Sequence, residues 1–375
     1  MRVAYYSPMP PDRSGIADYS ALLVPALRDR LDIVLARPHR RQPPADAALF
    51  QLGNDPESVG WIYEALRRRR GLVVLHEIAL HGLVAGLTLG RGDQEAYLAA
   101  IERDGGPAGR LAGVRALAGL EPPLWETRSE EFPLVHEALD LADGVIVHSR
   151  YAEQKVRDAG YDRAVHRIPI PAPEQPLPAP SRSALPGRGA PVVGSLGKVN
   201  PAKRIPQLLL AFARLRLTFP DALLVLAGGG STSEYVRLRL EPLGLEVGQD
   251  VLLLDYVDHG DFLALVARCD ICVSLRSPTL GESSSSAIAA LAAGTPLVVS
   301  DVGWFSELPE PVAAKVPPDE WEVDHLTAVL ELLASNESLR SGMAEAAQAY
   351  ARAELDLDRC ADAYVAALES RSAET

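Results

Sequence analysis

The sequence predicts an α/β protein made of two doubly wound halves, and three observations carry that prediction. Short apolar runs alternate with stretches of helical spacing along almost the whole chain. The alternation is interrupted once, by a proline-rich stretch, and then restarts. The length of 375 residues suits about two domains.

Taken in order, RVAYYSP is an apolar strand stopped by PMPPDRSG, a Pro/Gly loop. ADYSALLVPALRDRL has helical spacing, with Ser14 or Asp18 near its start. DIVLARP and AALFQLG read as buried strands, 57–70 as a helix and GLVVLHE as a strand. Two helical stretches follow at about 93–118 and 132–142, then the strand GVIVHS and a helix at 150–159. Residues 171–191 contain seven prolines, which remove donors and disfavour helix, so this stretch reads as a semi-rigid linker. Beyond it come PVVGSLG (strand), RIPQLLLAFARLRLTF (helix), ALLVLAGGG (strand) and SEYVRLRLEPLG (helix). DVLLLDYV, DICVSLR and TPLVVSDVG are further strands, separated by the helices GDFLALVARC and SSSSAIAALAAG. Residues 324–335 and 338–367 are helical by pattern. Such alternation implies parallel sheets covered by helices on both faces, that is, two Rossmann-like domains with a cleft between them. Ligands then bind outside the carboxyl ends of the strands.

Composition excludes several classes. Hydrophobic residues at 47% and charged residues at 23% are ordinary globular usage, so the bulk of the chain is not disordered. No apolar run reaches about 18 residues; 71–90 comes closest, and His76, Glu77 and His81 interrupt it. The start, MRVAYYSPMPP, lacks the apolar core of a signal peptide, which makes a soluble, cytoplasmic protein the default. The net charge of −13 divides into −2 over residues 1–172 (21 Lys+Arg, 23 Asp+Glu) and −11 over 173–375 (16 and 27). An acidic chain is a poor non-specific binder of nucleic acid. Basic spots are local, at Arg37, Arg40 and Arg41 and at Arg67 to Arg70, and read as solvated surface. Cys269 and Cys272 have metal-pair spacing but no companion pair, so they read as core thiols, and no metal site is expected.

The chemistry is signalled first by lysine usage. The chain has 33 Arg and only four Lys, and two of the four, Lys198 and Lys203, sit in GSLGKVNPAKR just after a strand. An ammonium is a compact point charge suited to a diphosphate. Next, Glu282 and Ser283, Ser284, Ser285 and Ser286 directly precede a helix of small residues. Serines cap helices, and a helix N-terminus attracts anions. A glutamate at its edge can accept from sugar or ribose hydroxyls. Gly15 follows the first strand and opens a helix, where backbone can approach a ligand. His76 ends a strand, a place for either a structural or a functional histidine. Tyr256 and Val257 end another, where they can meet a base. GxGxxG, a Walker lysine loop and a GxSxG elbow are all missing from these positions.

These residues resemble the retaining nucleotide-sugar glycosyltransferases of family 4, which have the GT-B architecture. The resemblance runs through PPDRSGIADYS, VVLHE, DGVIVHSRYA, GSLGKVNPAKR and LGESSSSAIAALAAGTPLVVSDVGWFSELP, and so covers essentially the whole chain. It implies transfer of a sugar from a nucleotide diphosphate-sugar to an acceptor hydroxyl, with retention and without metal or other cofactor. It implies that Lys198, where the family usually has arginine, and Lys203 hold the diphosphate. The helix start at Ser284 and Ser285 binds phosphate, Tyr256 and Val257 pack the base, Gly15 approaches the donor phosphates and His76 lies near the transferred sugar. It further implies domains at 1–172 (acceptor side) and 191–352 (donor side), a linker at 173–190, and a closing segment, 353–375, returning to the first domain. The acceptor is a glycan, a lipid-linked sugar or a small molecule. Peripheral contact with the inner membrane face is compatible with the Arg67 to Arg70 run. The family's Glu-x7-Glu pattern is absent: aligned on AAGTP, its positions are Gly281 and Ala289, and Glu282 is displaced by one. Serines also replace the family's Gly-Phe-Gly stretch. Other readings are a nucleotide-sugar epimerase, a phosphorylase and a non-catalytic sugar-nucleotide-binding protein.

Overall fold

A computed structural model describes residues 1–174 and 191–372, so most of the predicted linker, from 175 to 190, lies outside the described residues. The chain forms two six-stranded, wholly parallel sheets. The first contains β1 (Arg2–Tyr6), β2 (Asp32–Leu35), β3 (Ala47–Leu52), β4 (Gly71–Leu75), β5 (Ala142–Val147) and β6 (Val165–Arg167), in the order β2-β1-β3-β4-β5-β6. The second contains β7 (Val192–Leu196), β8 (Leu223–Ala227), β9 (Val251–Leu254), β10 (Ile271–Ser274), β11 (Leu297–Ser300) and β12 (Ala314–Val316). Its order, β9-β8-β7-β10-β11-β12, is the dinucleotide-fold order, with its reversal between β7 and β10.

Each sheet is sealed by its own core. Phe50, Ile62, Tyr63, Leu66, Val73 and Val145 are fully buried in the first, and Leu209, Phe212, Leu224, Ile271, Val298 and Leu330 in the second. The central strands are apolar on both faces, as helices packed on both sides require. Cys269 and Cys272 are buried free thiols of the second core.

The chain divides into two compact units. One comprises Met1–Ile170, Pro278–Ser283 and Leu357–Thr375; the other comprises Pro171–Ser277 and Ser284–Asp356. The single helix expected over 338–367 is in fact two, Glu337–Glu354 and Leu357–Ser372, and the break falls at the division between the units. The last helix docks on helix Gly15–Arg28 through Tyr364, whose hydroxyl is 2.6 Å from that of Tyr19, and through Arg30, which pairs with Asp358 and Asp362. The 93–118 stretch is Gln94–Leu117, broken at Gly106, just before Pro107. The 132–142 helix shrinks to His136–Leu141. Strands β6 and β12 and helices His81–Thr88, Leu124–Thr127 and Gly303–Ser306 were not expected. The two strands are three-residue edges, too short for a pattern, and His81–Thr88 is embedded in a continuous apolar run that hides its period. Among the described residues no helix is long and apolar enough to cross a membrane.

Two buried histidines tie segments of the first unit together. His81 donates from Nδ1 to the Phe132 carbonyl (2.7 Å), so its Nε2 accepts from the Tyr97 hydroxyl (2.8 Å). His148 donates from Nδ1 to the Ile168 carbonyl (2.7 Å). Burial pushes both rings down to about 4. Above about pH 6.5 they are neutral whether the chain is folded or not. Below it the unfolded chain takes up protons that the fold refuses, so stability falls until about pH 4. The expected loss is about 1.4 kcal/mol per pH unit for each histidine over that window. Urea unfolding of the first unit at several pH values checks this, and a flat midpoint between pH 6.5 and 5 contradicts it.

Candidate functional site

In the second unit the carboxyl ends of the strands meet at glycine. Gly197 after β7 and Gly228 after β8 both have positive φ (107° and 136°), and a Cβ on Gly228 would lie 2.5 Å from the Gly197 carbonyl carbon. Only glycine permits that approach. The two loops are hydrogen-bonded, Gly197 N–H to the Ala227 carbonyl (2.7 Å) and Val199 N–H to that of Gly229 (2.8 Å).

This pairing places the two lysines. Lys198 lies exposed on the first of these loops. Asn200 then caps a short turn, accepting from Lys203 N–H at 3.1 Å. Lys203 is half-buried and its Nζ donates back to the Leu196 carbonyl (3.1 Å), beside Gly197, where a Cβ would come within 2.6 Å of it. Arg204 closes the turn in the left-handed region (φ 55°), unusual for a side-chain-bearing residue. Its guanidinium is paired with the buried Glu322 carboxylate (Nε to Oε2, 2.9 Å).

The β10 end faces the same reversal point. Arg276 N–H donates to Ser300 Oγ (2.8 Å) and Ser277 N–H to the Ala202 carbonyl (2.8 Å), so the β10 exit is tied to the lysine turn. Helix Ser285–Ala293 begins there. Of the four serines only Ser284 is the cap, its Oγ accepting from Ala287 N–H at 3.3 Å. Ser284 also meets Ser274 (3.4 Å) and Ser286 (3.0 Å), Ser285 is exposed, and Ser283 Oγ is buried with no hydrogen-bond partner among the described residues. At the β9 end Tyr256 is 44% exposed, with Val257 beside it. Thus Lys198, Lys203 and Ser284 to Ser286 sit at the strand ends that flank the reversal point of the second unit, whereas Tyr256 and Val257 follow β9 at the edge of the sheet, two strands from β7.

The first unit holds the remaining candidates. Gly15 is the first residue of helix Gly15–Arg28, capped by Ser14 Oγ on Ala17 N–H (3.1 Å). It is exposed, and a Cβ there would meet no atom of the chain. His76 follows β4 and is buried, donating from Nε2 to Gln51 Oε1 (2.8 Å). Its ring lies 4.8 Å from that of Tyr19 and 4.9 Å from that of His148. Burial, and then the neighbouring His148, hold it well below the usual imidazole range, so it is neutral near pH 7. Glu282 belongs to the short 278–283 segment of this unit. Its Oε2 accepts from Leu280 N–H (2.7 Å) and from the Thr279 hydroxyl (3.1 Å), so that oxygen is engaged by its own loop.

Sequence reasoning missed Arg204, Arg276 and Glu130, whose Oε1 accepts from Thr279 N–H (3.0 Å). A charged residue closing the apolar run ICVSLR was a usable signal for Arg276, which is buried. Nothing local marks Glu130, 149 residues from its partner.

Comparison with known proteins bears on the family likeness and on the fold. The family model described as glycosyl transferases group 1 matches residues 181–350. Glycogen synthase of Mycobacterium tuberculosis (strain H37Rv) is 31% identical over 113 residues, 30% of this chain. The uncharacterized glycosyltransferase YqgM of Bacillus subtilis is 29% identical over 140 residues, 36% of this chain. These matches span only 26% and 36% of the relatives' own lengths. Among solved structures, sucrose-phosphate synthase from Thermosynechococcus elongatus superimposes with a TM-score of 0.68 at 18% identity, covering 100% of both chains. Anabaena Alr3699/HepE does so with a TM-score of 0.62 at 17% identity, covering 99% of this chain and 100% of that one. At such identities the likeness bears on the fold. Residues 181–350 thus match the glycosyl transferases group 1 model, in a chain whose two parallel six-stranded sheets give it the GT-B fold.

Proposed function

We propose that the protein transfers a sugar from a nucleotide diphosphate-sugar to an acceptor hydroxyl, with retention of configuration. The observation that carries this reading is the grouping of Lys198, Lys203 and the serine-headed helix start at the reversal point of the second sheet. Departure of the diphosphate moves an electron pair onto a phosphate oxygen. Two ammonium groups and the N–H groups of a helix start, fixed before the reaction, stabilise that charge. The acceptor oxygen bonds to the anomeric carbon on the face the diphosphate leaves. Its proton passes to the departing phosphate, so no separate base is required. Tyr256 and Val257 pack the base, and Gly15 lets backbone come close to the donor. His76, being neutral, serves by shape and hydrogen bonding rather than by charge. Solved neighbours such as HepE were captured with UDP and with UDP-glucose, which makes UDP the first probe.

The test is thermal unfolding of the full chain against nucleoside diphosphates and their sugars. Ligand at about 100 times its Kd adds about 2.7 kcal/mol of stability, a rise of several degrees. We expect that rise with one base, and its loss in Lys203→Ala. No rise with any nucleotide sinks the proposal, and binding without transfer to acceptor or water favours the non-catalytic reading.

A second expectation separates ligand approach from folding. Gly15→Ala adds a methyl group that meets nothing in the chain, so its melting temperature should equal or slightly exceed the parent's. Its transfer rate should fall about tenfold or more if backbone approach at Gly15 matters. An unchanged rate removes Gly15 from the site.

A further inference from the structure

Two basic stretches that are distant in the sequence are fastened together in the first unit. One is the irregular connection from β2 to β3, with Arg37, Arg40 and Arg41 exposed. The other leaves helix Pro56–Leu66 and enters β4, with Arg68 and Arg70 exposed. Arg40 N–H donates to the Arg37 carbonyl (3.4 Å), a turn that folds the first stretch back on itself. Three hydrogen bonds then join the stretches. Gln42 Nε2 donates to the Ala65 carbonyl (3.3 Å), and Arg69 donates from Nη1 to the Pro43 carbonyl (3.2 Å) and from Nη2 to that of Ala45 (2.7 Å). Arg69 is thus used as a clasp and is half-buried, while Arg68 and Arg70 on either side of it stay outside.

The charges outside the clasp are not spent within the chain. Among the described residues Arg37, Arg40, Arg41, Arg68 and Arg70 form no ion pair, and the carboxylates flanking the two stretches are engaged by other groups. Asp46 accepts from Arg2 N–H (2.8 Å), Glu64 pairs with Arg91 (2.5 Å) and Glu137 with Arg67 (2.6 Å). The chain as a whole carries −13, so this is a positive face on a negative body. The face is also purely polar. No exposed large hydrophobic residue lies in 36–46 or 65–70, and the neighbouring Trp61 is half-buried with its ring 6.2 Å from that of Tyr6. A protein interface is centred on aromatic or apolar anchors, and single-stranded nucleic acid is held by exposed aromatic rings, so this face suits neither. Contact by charge alone suits an anionic lipid surface, where each basic residue within a Debye length adds to binding. Guanidinium groups match the lipid phosphates in shape as well as in charge.

We propose that Arg37, Arg40, Arg41, Arg68 and Arg70 form one docking surface for an anionic lipid bilayer, assembled by the Arg69 clasp and held by guanidinium–phosphate contacts. The same bilayer repels the acidic remainder of the chain, so the patch decides which face of the first unit meets lipid. The contact is reversible and salt-dependent. It stands apart from the nucleotide-sugar reading, because none of these residues belongs to the donor site.

The experiment is co-sedimentation of the full-length protein with vesicles of phosphatidylcholine alone and of phosphatidylcholine mixed with phosphatidylglycerol, at low and at high salt. The parent should bind the mixed vesicles at low salt, lose them at high salt, where the Debye length falls to about 3 Å, and ignore the neutral vesicles. Arg40→Gln with Arg41→Gln should weaken binding about 30-fold, and so should Arg68→Gln with Arg70→Gln. The four changes together should abolish it, with the melting temperature of each variant within about 1 °C of the parent's, since all four side chains are exposed. Arg268→Gln with Arg352→Gln, which removes two exposed arginines elsewhere, should leave binding unchanged. No sedimentation with mixed vesicles overturns the proposal, and so does equal binding to neutral ones. Loss of binding in the Arg268/Arg352 control shows an effect of overall charge and overturns it too. Sensitivity to only one of the two pairs shows that the stretches are not one surface. Binding to heparin or duplex DNA, without binding to vesicles and lost in the fourfold variant, assigns the patch to a soluble polyanion instead.

Discussion

The second unit depends on one constraint: its strand order turns round between β7 and β10. Helices that follow the two strands leave to opposite faces of the sheet, so the carboxyl ends of β7 and β10 are left without a covering connection. Backbone N–H groups and side chains at those ends must find partners in loops or in ligand. The chain meets this with loops hydrogen-bonded to each other. Gly197 lies against Gly228, Ser277 donates to Ala202, and Arg204 closes its left-handed turn onto buried Glu322. Those contacts hold the lysine turn rigidly enough for Lys203 to be placed by Leu196 and Asn200 rather than by solvent.

The first unit solves a different problem. Its strand ends carry buried polar groups, and several of them find partners within the unit. Tyr5, Ser7 and Ser20 form one hydrogen-bonded chain, and His76 is held by Gln51 within a ring cluster with Tyr19 and His148. Tyr19 passes this order to the last helix through Tyr364. The network is not complete: Gln51 Nε2 and His148 Nε2 are buried without a hydrogen-bond partner among the described residues, which is costly in low dielectric. Burial also explains why His76 is neutral: the same burial that fixes the ring denies it a proton.

The alternation of apolar runs and helical spacing was enough to read both sheets and most of the helices between them. Lysine scarcity and the serine run are local, chemical signals, and the structure sets both at the carboxyl ends of strands that flank the β7–β10 reversal. What stayed hidden is what depends on distant pairing. The edge strands β6 and β12 exist because a neighbour offers hydrogen bonds, not because three residues encode a strand. The break at Leu355–Asp356 lies within a continuous helical pattern. Nothing in LGESS shows that Glu282 Oε2 turns back on Leu280 N–H. Glu130 carried no local signal, because its partner Thr279 lies 149 residues away in the sequence.

The central claim is that the β7–β10 reversal point is a diphosphate site. Diffraction from crystals grown with UDP, or with whichever nucleoside diphosphate stabilises the protein, tests it most directly. The account predicts the diphosphate within hydrogen-bond reach of Lys198, Lys203 and the first-turn N–H groups of helix Ser285–Ala293, with the base against Tyr256 and Val257. A nucleotide bound away from those groups, for example at the strand ends of the first sheet, contradicts it.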